Sequence, residues 1–300
     1  MNVDLEWYRV FYWTAKLGGF THAAKKLNIT QPAVSHTLKQ LEDALGVQLF
    51  FRGAKGAALT AEGELLYSFA AQAIQLIELG EKKIAEMQNL LAGEIVIGAS
   101  DTLCKHYLLP YMERFHRQYP EIRIRVVNRT TPETIALLKA GDIDFGIVHL
   151  PAEDARVHFR KCAALTECLV GAPKYAHLAA EPLPLSELRR WPLLLLEKDA
   201  GTRLFLDDYA RSCGVLLQPE FELGSVDLLV EFSRRGFGLT IIAREYIREE
   251  LRAGELIEIP LAPPVPERHI GIATLKEVPL SAAARRFLDF VLEDAGADAK

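Results

Sequence analysis

Between Asn28 and Gly46 the chain reads NITQPAVSHTLKQLEDALG. Projected at about 100° per residue, Val34, Leu38, Leu41 and Leu45 fall in one narrow stripe and Gln31, Pro32, Ser35, His36 and Lys39 on the other side. This pattern predicts a helix with one packing face and one reading face. Upstream, Leu5, Tyr8, Val10, Phe11, Trp13 and Ala15 predict a first amphipathic helix that stops near Gly18-Gly19, where a left-handed turn is easy. Thr21 is then expected to cap a short second helix, THAAKKLN, whose Ala23 and Ala24 allow close crossing and whose Leu27 anchors it. After a turn at Asn28-Ile29, Thr30 caps the third helix and Pro32 sits in its first turn, where no intrahelical partner is lost. Two short helices joined in this way are a helix-turn-helix. The following VQLFFRGAKGAALT predicts a two-stranded wing with Arg52 and Lys55 at its glycine-rich tip.

From Ala61 to Leu91 there is no proline, and Leu66, Ala70, Ala73, Ile77, Gly80, Ile84, Met87 and Leu91 recur at spacings of four and three. Such a heptad seam, on a helix roughly 45 Å long at 1.5 Å per residue, calls for a second copy to cover it. Beyond Gly93 the pattern becomes strand and helix in alternation: EIVIGAS, IRIRVVNRT, DFGIVHL, ECLVGAP, PLLLLE, FELGS, LTIIA and HIGIATL are the apolar runs. That alternation predicts α/β layers with largely parallel sheets. Two crossovers between lobes are expected, one near Lys161 to Ala164 and one in PLAPPVPERH, after which HIGIATL returns to the first lobe.

Length supports more than one domain, and the net charge of -5 conceals an asymmetry. Residues 1–60 carry seven Lys/Arg against four Asp/Glu, whereas residues 61–91 carry two Lys against five Glu. Positive charge therefore sits with the helix-turn-helix, where a polyanion would meet it. A helix-turn-helix lays its second helix in the DNA major groove. There Gln31 pairs with adenine, Ser35 and His36 reach base edges or phosphates, and Lys39 suits guanine or phosphate, while Arg52 and Lys55 clamp phosphates. Cys104, Cys162, Cys168 and Cys213 show neither a C-x-x-C pair nor His at zinc spacing, so no metal or other cofactor is expected. The opening MNVDLEWYRVF lacks the apolar run of a signal peptide, and no stretch approaches the ~20 apolar residues of a membrane span, which places the chain in the cytoplasm.

The run FTHAAKKLNITQPAVSHTLKQLEDALGVQLFFRGAKGAALTAEG resembles the winged helix-turn-helix of LysR-type transcriptional regulators. It departs from the usual pattern at Thr30, where serine is commoner, and in RGAKG, where two arginines are usual. The resemblance implies an N-terminal all-α winged helix-turn-helix (1–60), a long linker and dimerisation helix (61–91), and a two-lobed α/β effector domain like periplasmic binding proteins (92–300). Lobe I is expected over 92–161 and 268–300, and lobe II over 162–267. Implied partners are double-stranded DNA, a second copy in a homodimer that pairs into a homotetramer, RNA polymerase and a small effector. Ligands of such a fold sit between lobes at strand ends and helix N-termini. Ser100 and Thr102 in GASDTL, Thr130 and Thr131 in NRTTPE, and Gly201, Thr202 and Arg203 in EKDAGTRLF are the residues expected to hold a carboxylate or other anion. A possible capping box links Thr130 to Glu133.

Three rival functions are weighed against this one. Ser100, Asp101 and His106 superficially offer catalysis but lack a glycine-framed nucleophile elbow. A solute receptor without DNA function is opposed by the basic helix-turn-helix. A redox sensor of the same family would place a cysteine in the second-lobe turn near Ala200, and Cys213 has no such partner.

Overall fold

The computed structural model describes residues 3–51, 57–88 and 93–295. It divides into two compact units, residues 1–85 and 86–300. In the first, α1 (Leu5–Leu17) starts at Asp4, whose carboxylate accepts the Glu6 amide at 3.0 Å, and ends at Gly18 with φ of 65°. α2 (Phe20–Leu27) begins one residue before Thr21, so Thr21 does not cap it; the cap position is Gly19, whose carbonyl accepts from the Ala23 amide at 3.0 Å. Starting the helix at Phe20 sets that ring 5.7 Å from Phe50. α3 (Gln31–Leu45) is capped as expected by Thr30, which accepts from the Ala33 amide at 3.4 Å. Its stripe, Val34, Leu38 and Leu41, is buried with Val10, Phe11, Ala23 and Ala24. At the base of the predicted wing only the Phe50–Leu59 bridge lies within the described residues, and Glu42 holds it by accepting the amides of Leu49 (2.8 Å) and Phe50 (3.3 Å).

α4 (Ala61–Gln88) is launched by Thr60, which accepts the Gly63 amide at 3.0 Å and donates to the Gln48 carbonyl at 2.7 Å. The expected seam needs correction at its start, because Ala70 and part of Leu66 pack into the helix-turn-helix core of the same chain. Among the described residues, the large apolar side chains that α4 leaves exposed are Leu65, Phe69, Leu76, Ile77 and Ile84, with Ala73 also exposed beside them. Leu91 lies outside the described residues, and Met87 is described only as part of the helix backbone.

The second unit holds two five-stranded sheets. The first contains β1 (Glu94–Ala99), β2 (Arg123–Asn128), β3 (Phe145–Leu150), β4 (Val157–Leu165) and β12 (Arg268–Leu275), in the order β2-β1-β3-β12-β4. The second contains β5 (Glu167–Gly171), β7 (Leu193–Leu196), β8 (Phe221–Leu223), β9 (Leu239–Ala243) and β10 (Ile257–Ile259), in the order β10-β5-β9-β7-β8, while β6 (Leu183–Pro184) and β11 (Leu261–Ala262) form a small ribbon. Pairs β1·β2, β1·β3, β7·β8 and β7·β9 are parallel; β12 runs antiparallel to β3 and β4, and β5 antiparallel to β9 and β10.

The first crossing is displaced from its expected place near Lys161 to Ala164. Those residues belong to β4, paired along β12 up to Leu165–Arg268, and the chain changes lobe between Leu165 and Glu167. As an edge strand with charged Arg160 and Lys161 outward, β4 lacks the apolar run that would announce it. Helices follow the strands: α5 (Asp101–Leu103) continues through a π-helical turn, Cys104–Leu108, into α6 (Leu109–Gln118). Then come α7 (Thr131–Ala140), α8 (Gly201–Ser212), α9 (Val226–Arg234), α10 (Arg248–Arg252) and α11 (Ala282–Ala295). One apolar cluster runs through both lobes, from Ile97, Phe145 and Phe287 in the first to Cys168, Ile242 and Ile247 in the second. No helix among the described residues is long and apolar enough to cross a membrane.

Candidate functional site

On the first unit, the face of α3 opposite its buried stripe is available to a ligand. Gln31, Pro32, His36 and Lys39 are exposed, Ser35 is half-buried, and Thr30 is exposed at the cap. The Gln31 amide donates to Ser35 Oγ at 3.1 Å, which orients it along the helix face with its carbonyl oxygen free. Asn28, with φ of 55°, makes the tight turn that sets α3 across α2, and Ala23 and Ala24 let the helices approach. Arg52 and Lys55 lie outside the described residues.

The second unit encloses a cavity of about 240 Å³ between its sheets. From the first lobe it is lined by Ser100, Thr102, Thr130 and Thr131, and from the second by Gly201, Thr202 and Arg203, so every residue expected at an effector site borders it. Their chemistry differs. Ser100 Oγ accepts from the Leu103 amide (3.3 Å), Thr131 Oγ1 from the His149 amide (3.2 Å) and Thr202 Oγ1 from an Arg268 guanidinium nitrogen (3.3 Å). A hydroxyl that already accepts a bond still has its own hydrogen to give, so these three are donors for an incoming oxygen. Thr130 instead donates to Glu133 Oε2 at 2.7 Å, in the expected capping box, and Thr102 donates to Asp101 at 3.4 Å.

Arg203 departs from its expected role. It is buried, and its guanidinium donates to the Leu196 carbonyl (2.7 Å), Asp207 (3.0 Å) and Glu222 (3.0 Å). With three acceptors already fixed, its charge braces α8 against β7 and β8 instead of waiting for an anion.

Polar lining residues that the sequence reading did not assign to the site include Asn128, Arg129, His149, Glu167, Tyr246 and Arg268. Glu167 opens β5 and Arg268 opens β12, so each stands where the chain changes lobe. Arg268 Nε donates to Glu167 Oε1 at 3.0 Å, Nη2 bonds the same oxygen, and the guanidinium lies 4.8 Å over the Phe205 ring. His149 Nε2 is 3.3 Å from the Tyr246 hydroxyl. Burial, and then the neighbouring Arg268, push the His149 pKa down to about 3, so the imidazole is neutral. Both missed ion-pair residues carry a sequence signal: a charged residue begins an otherwise apolar strand at a lobe crossing. Ser100 is engaged as a helix cap, and His106 packs its ring 4.7 Å from Tyr246, so the two do not form a catalytic pair.

Comparison with known proteins fits this division of the chain. The family model for the bacterial regulatory helix-turn-helix protein, lysR family, matches residues 5–64, and that for the LysR substrate binding domain matches residues 88–296. The chain belongs to the LysR family. It is a DNA-binding transcriptional regulator with an effector-binding domain, in a family of regulators and not of enzymes. The Escherichia coli regulator YeiE is 29% identical over 293 residues, covering 97% of each chain, and CfxR of Cupriavidus necator is 27% identical over 97% of this chain and 92% of its own. The crystal structure of HinK from Pseudomonas aeruginosa aligns with a TM-score of 0.59 at 25% identity, covering 99% of each chain. Full-length OxyR C199D from the same organism has a TM-score of 0.64 at 21% identity, over 98% of this chain and 95% of that one, a likeness of fold.

Proposed function

We propose that this LysR-family regulator reads a two-fold DNA site with α3 from each of two copies and that a small anion held between its effector lobes changes the DNA complex. In this reading Gln31 and Lys39 address base edges in the major groove, and Ser35 and His36 address base edges or backbone. Thr30 and Pro32 fix the start of the helix, and Arg52 and Lys55 hold phosphates. The copies associate along α4 through the apolar side chains left exposed there, Ile77 and Ile84 included, and dimers pair into tetramers that engage RNA polymerase in the cytoplasm.

The observation that carries the effector reading is the convergence of the Ser100, Thr131 and Thr202 hydroxyls on one cavity. Donors aimed at one space from two lobes suit an oxyanion, and a ligand gripping both lobes shifts their equilibrium by its differential affinity for the closed form. Calorimetry of the full chain with a panel of small carboxylates, run beside footprinting of a selected DNA site, tests this. A carboxylate that binds, alters the footprint and loses affinity in Ser100→Ala and Thr202→Val is the expected result. A ligand that alters the footprint yet binds all variants equally would place the effector elsewhere. For the groove assignment, Gln31→Ala should relax preference at one base by about 1–3 kcal/mol, and an unchanged preference would overturn it.

A further inference from the structure

Arg268 belongs to the wall of the effector cavity, yet its side chain is only 2% exposed. Three neighbours fix its guanidinium. Nε donates to Glu167 Oε1 at 3.0 Å and Nη2 bonds the same oxygen, Cζ lies 4.8 Å from the centroid of the Phe205 ring, and Nη1 donates to Thr202 Oγ1 at 3.3 Å. Thr202 and Phe205 stand three residues apart at the start of α8 and so share one face of that helix. The cation therefore grips the turn that brings Thr202 to the cavity. Thr202 itself is half-buried and borders the same space. An ion entering the cavity meets the threonine, with the arginine behind it.

The three hydroxyls of the cleft differ in what stands behind them. Ser100 and Thr131 accept from neutral backbone amides, those of Leu103 and His149, whereas Thr202 accepts from a cation. A hydroxyl has one hydrogen to give, and a threonine in the first turn of a helix is otherwise free to spend it on a nearby backbone carbonyl. A guanidinium N–H seated on the Thr202 oxygen turns that hydrogen away from the arginine and leaves it for another acceptor. The same bond draws electron density from the oxygen and makes the O–H a stronger donor, since hydrogen bonds in a chain polarise one another. One contact thus sets both the direction and the strength of the Thr202 donor, and an acceptor that carries negative charge gains most from it.

We infer that Arg268 is a positioning residue of the effector site: it orients and polarises the Thr202 hydroxyl, makes it the strongest of the three donors, and acts on an anion through that hydroxyl alone. The inference rests on the anion reading above. It adds to that reading which donor takes the charged oxygen and which buried side chain prepares it.

Acetate is the probe, titrated into the full chain at neutral pH and followed by calorimetry and ligand-observed NMR. Thr202→Val should weaken it about tenfold or more, and Ser100→Ala and Thr131→Val by a few fold each. Arg268→Lys keeps a cation for Glu167 but lacks the fork that holds Thr202 as well. It should weaken acetate several fold in the parent and by less than about twofold in the Thr202→Val background, because a residue that acts through another has nothing to act on once that one is gone. In Thr202→Ser, which keeps the hydroxyl, the effect of Arg268→Lys should persist. Should Arg268→Lys fail to fold, Glu167→Gln with Arg268→Gln, which removes both members of the ion pair, provides the same comparison. An equal loss in both backgrounds would mean that Arg268 meets the ion itself or only supports the fold, and it overturns the inference. So does a Thr202→Val loss no larger than those at Ser100 and Thr131, a comparison that leaves Arg268 untouched. In both cases the anion site stands. No acetate binding to the parent at tens of millimolar, or binding that none of the three hydroxyl variants weakens, overturns the anion reading and the inference with it.

Discussion

Replacing Arg203 by Met should cost the effector domain stability and leave its ligand chemistry largely in place, the reverse of what its position beside Thr202 first suggests. The Arg203 side chain is 4% exposed, while its acidic partners Asp207 and Glu222 are 23% and 38% exposed. Methionine keeps most of the apolar stem in place. What disappears is one charge-assisted bond to the Leu196 carbonyl, of the order of 1.5–3 kcal/mol, and two pairs whose carboxylates can turn to water. That access limits each pair to about the 0–1 kcal/mol of a surface bridge. The expected loss is therefore about 1.5–5 kcal/mol, or roughly 3–20 °C in the Tm of a domain of this size. Trp191 is the only tryptophan beyond the first unit, so with Trp7→Phe and Trp13→Phe its fluorescence reports melting of the effector domain alone. Arg203→Lys should recover only part of the loss, because one ammonium cannot reproduce the fork. A Tm within about a degree of the parent, combined with lost carboxylate binding, would refute the structural role and return Arg203 to the ligand.

Other expectations concern packing, protonation and assembly. A Cβ at Gly63 would run into the Leu49 carbonyl and press on the Leu59 side chain at 3.0 Å, so Gly63→Ala should destabilise the first unit by about 1–3 kcal/mol. Melting followed through Trp7 and Trp13 checks this, and an unchanged Tm would contradict it. For His149 the folded pKa of about 3 lies below the unfolded value of about 6.5, so between those pH values the unfolded chain binds a proton the folded chain does not. Stability should thus fall as pH drops from about 6.5 toward 3, by up to about 1.4 kcal/mol per unit, and His149→Gln should flatten urea midpoints compared at pH 5 and 7. An identical slope in the variant would show that the imidazole is not held neutral. Phe69→Glu with Leu76→Glu places acids on two exposed apolar positions of α4. Light scattering should then read monomers, and a persistent dimer would move the main contact away from this helix.

Much of the chain is legible before folding because its signals are local. The α3 stripe, the Thr30 cap and the Gly18 stop follow from periodicity and backbone preference within a few residues, and they stand where the spacing put them. A period shows that a face is apolar and not which neighbour covers it: at the start of the α4 seam Ala70 is buried in its own domain and Leu66 is partly covered there. In the cleft, the turns after β1, β2 and β7 announce themselves by Ser and Thr at strand ends, and they do border one cavity. Arg203 was legible as a cation, but its acceptors, Leu196 and Glu222, come from other strands.

Glu167 and Arg268 illustrate the same limit at the most consequential place. They are separated by 101 residues and meet only because both chain crossings between the lobes lie side by side, with Arg268 in register with Leu165, two residues before Glu167. An ion pair there ties together the two strands that cross between the lobes, and both of its residues line the space the lobes enclose. In the proposed reading, a ligand in that cavity would meet the crossing strands as well as the facing turns. Binding free energy applied there would act where small rotations displace whole lobes, and that is the route by which the proposed small effector would bias the DNA complex.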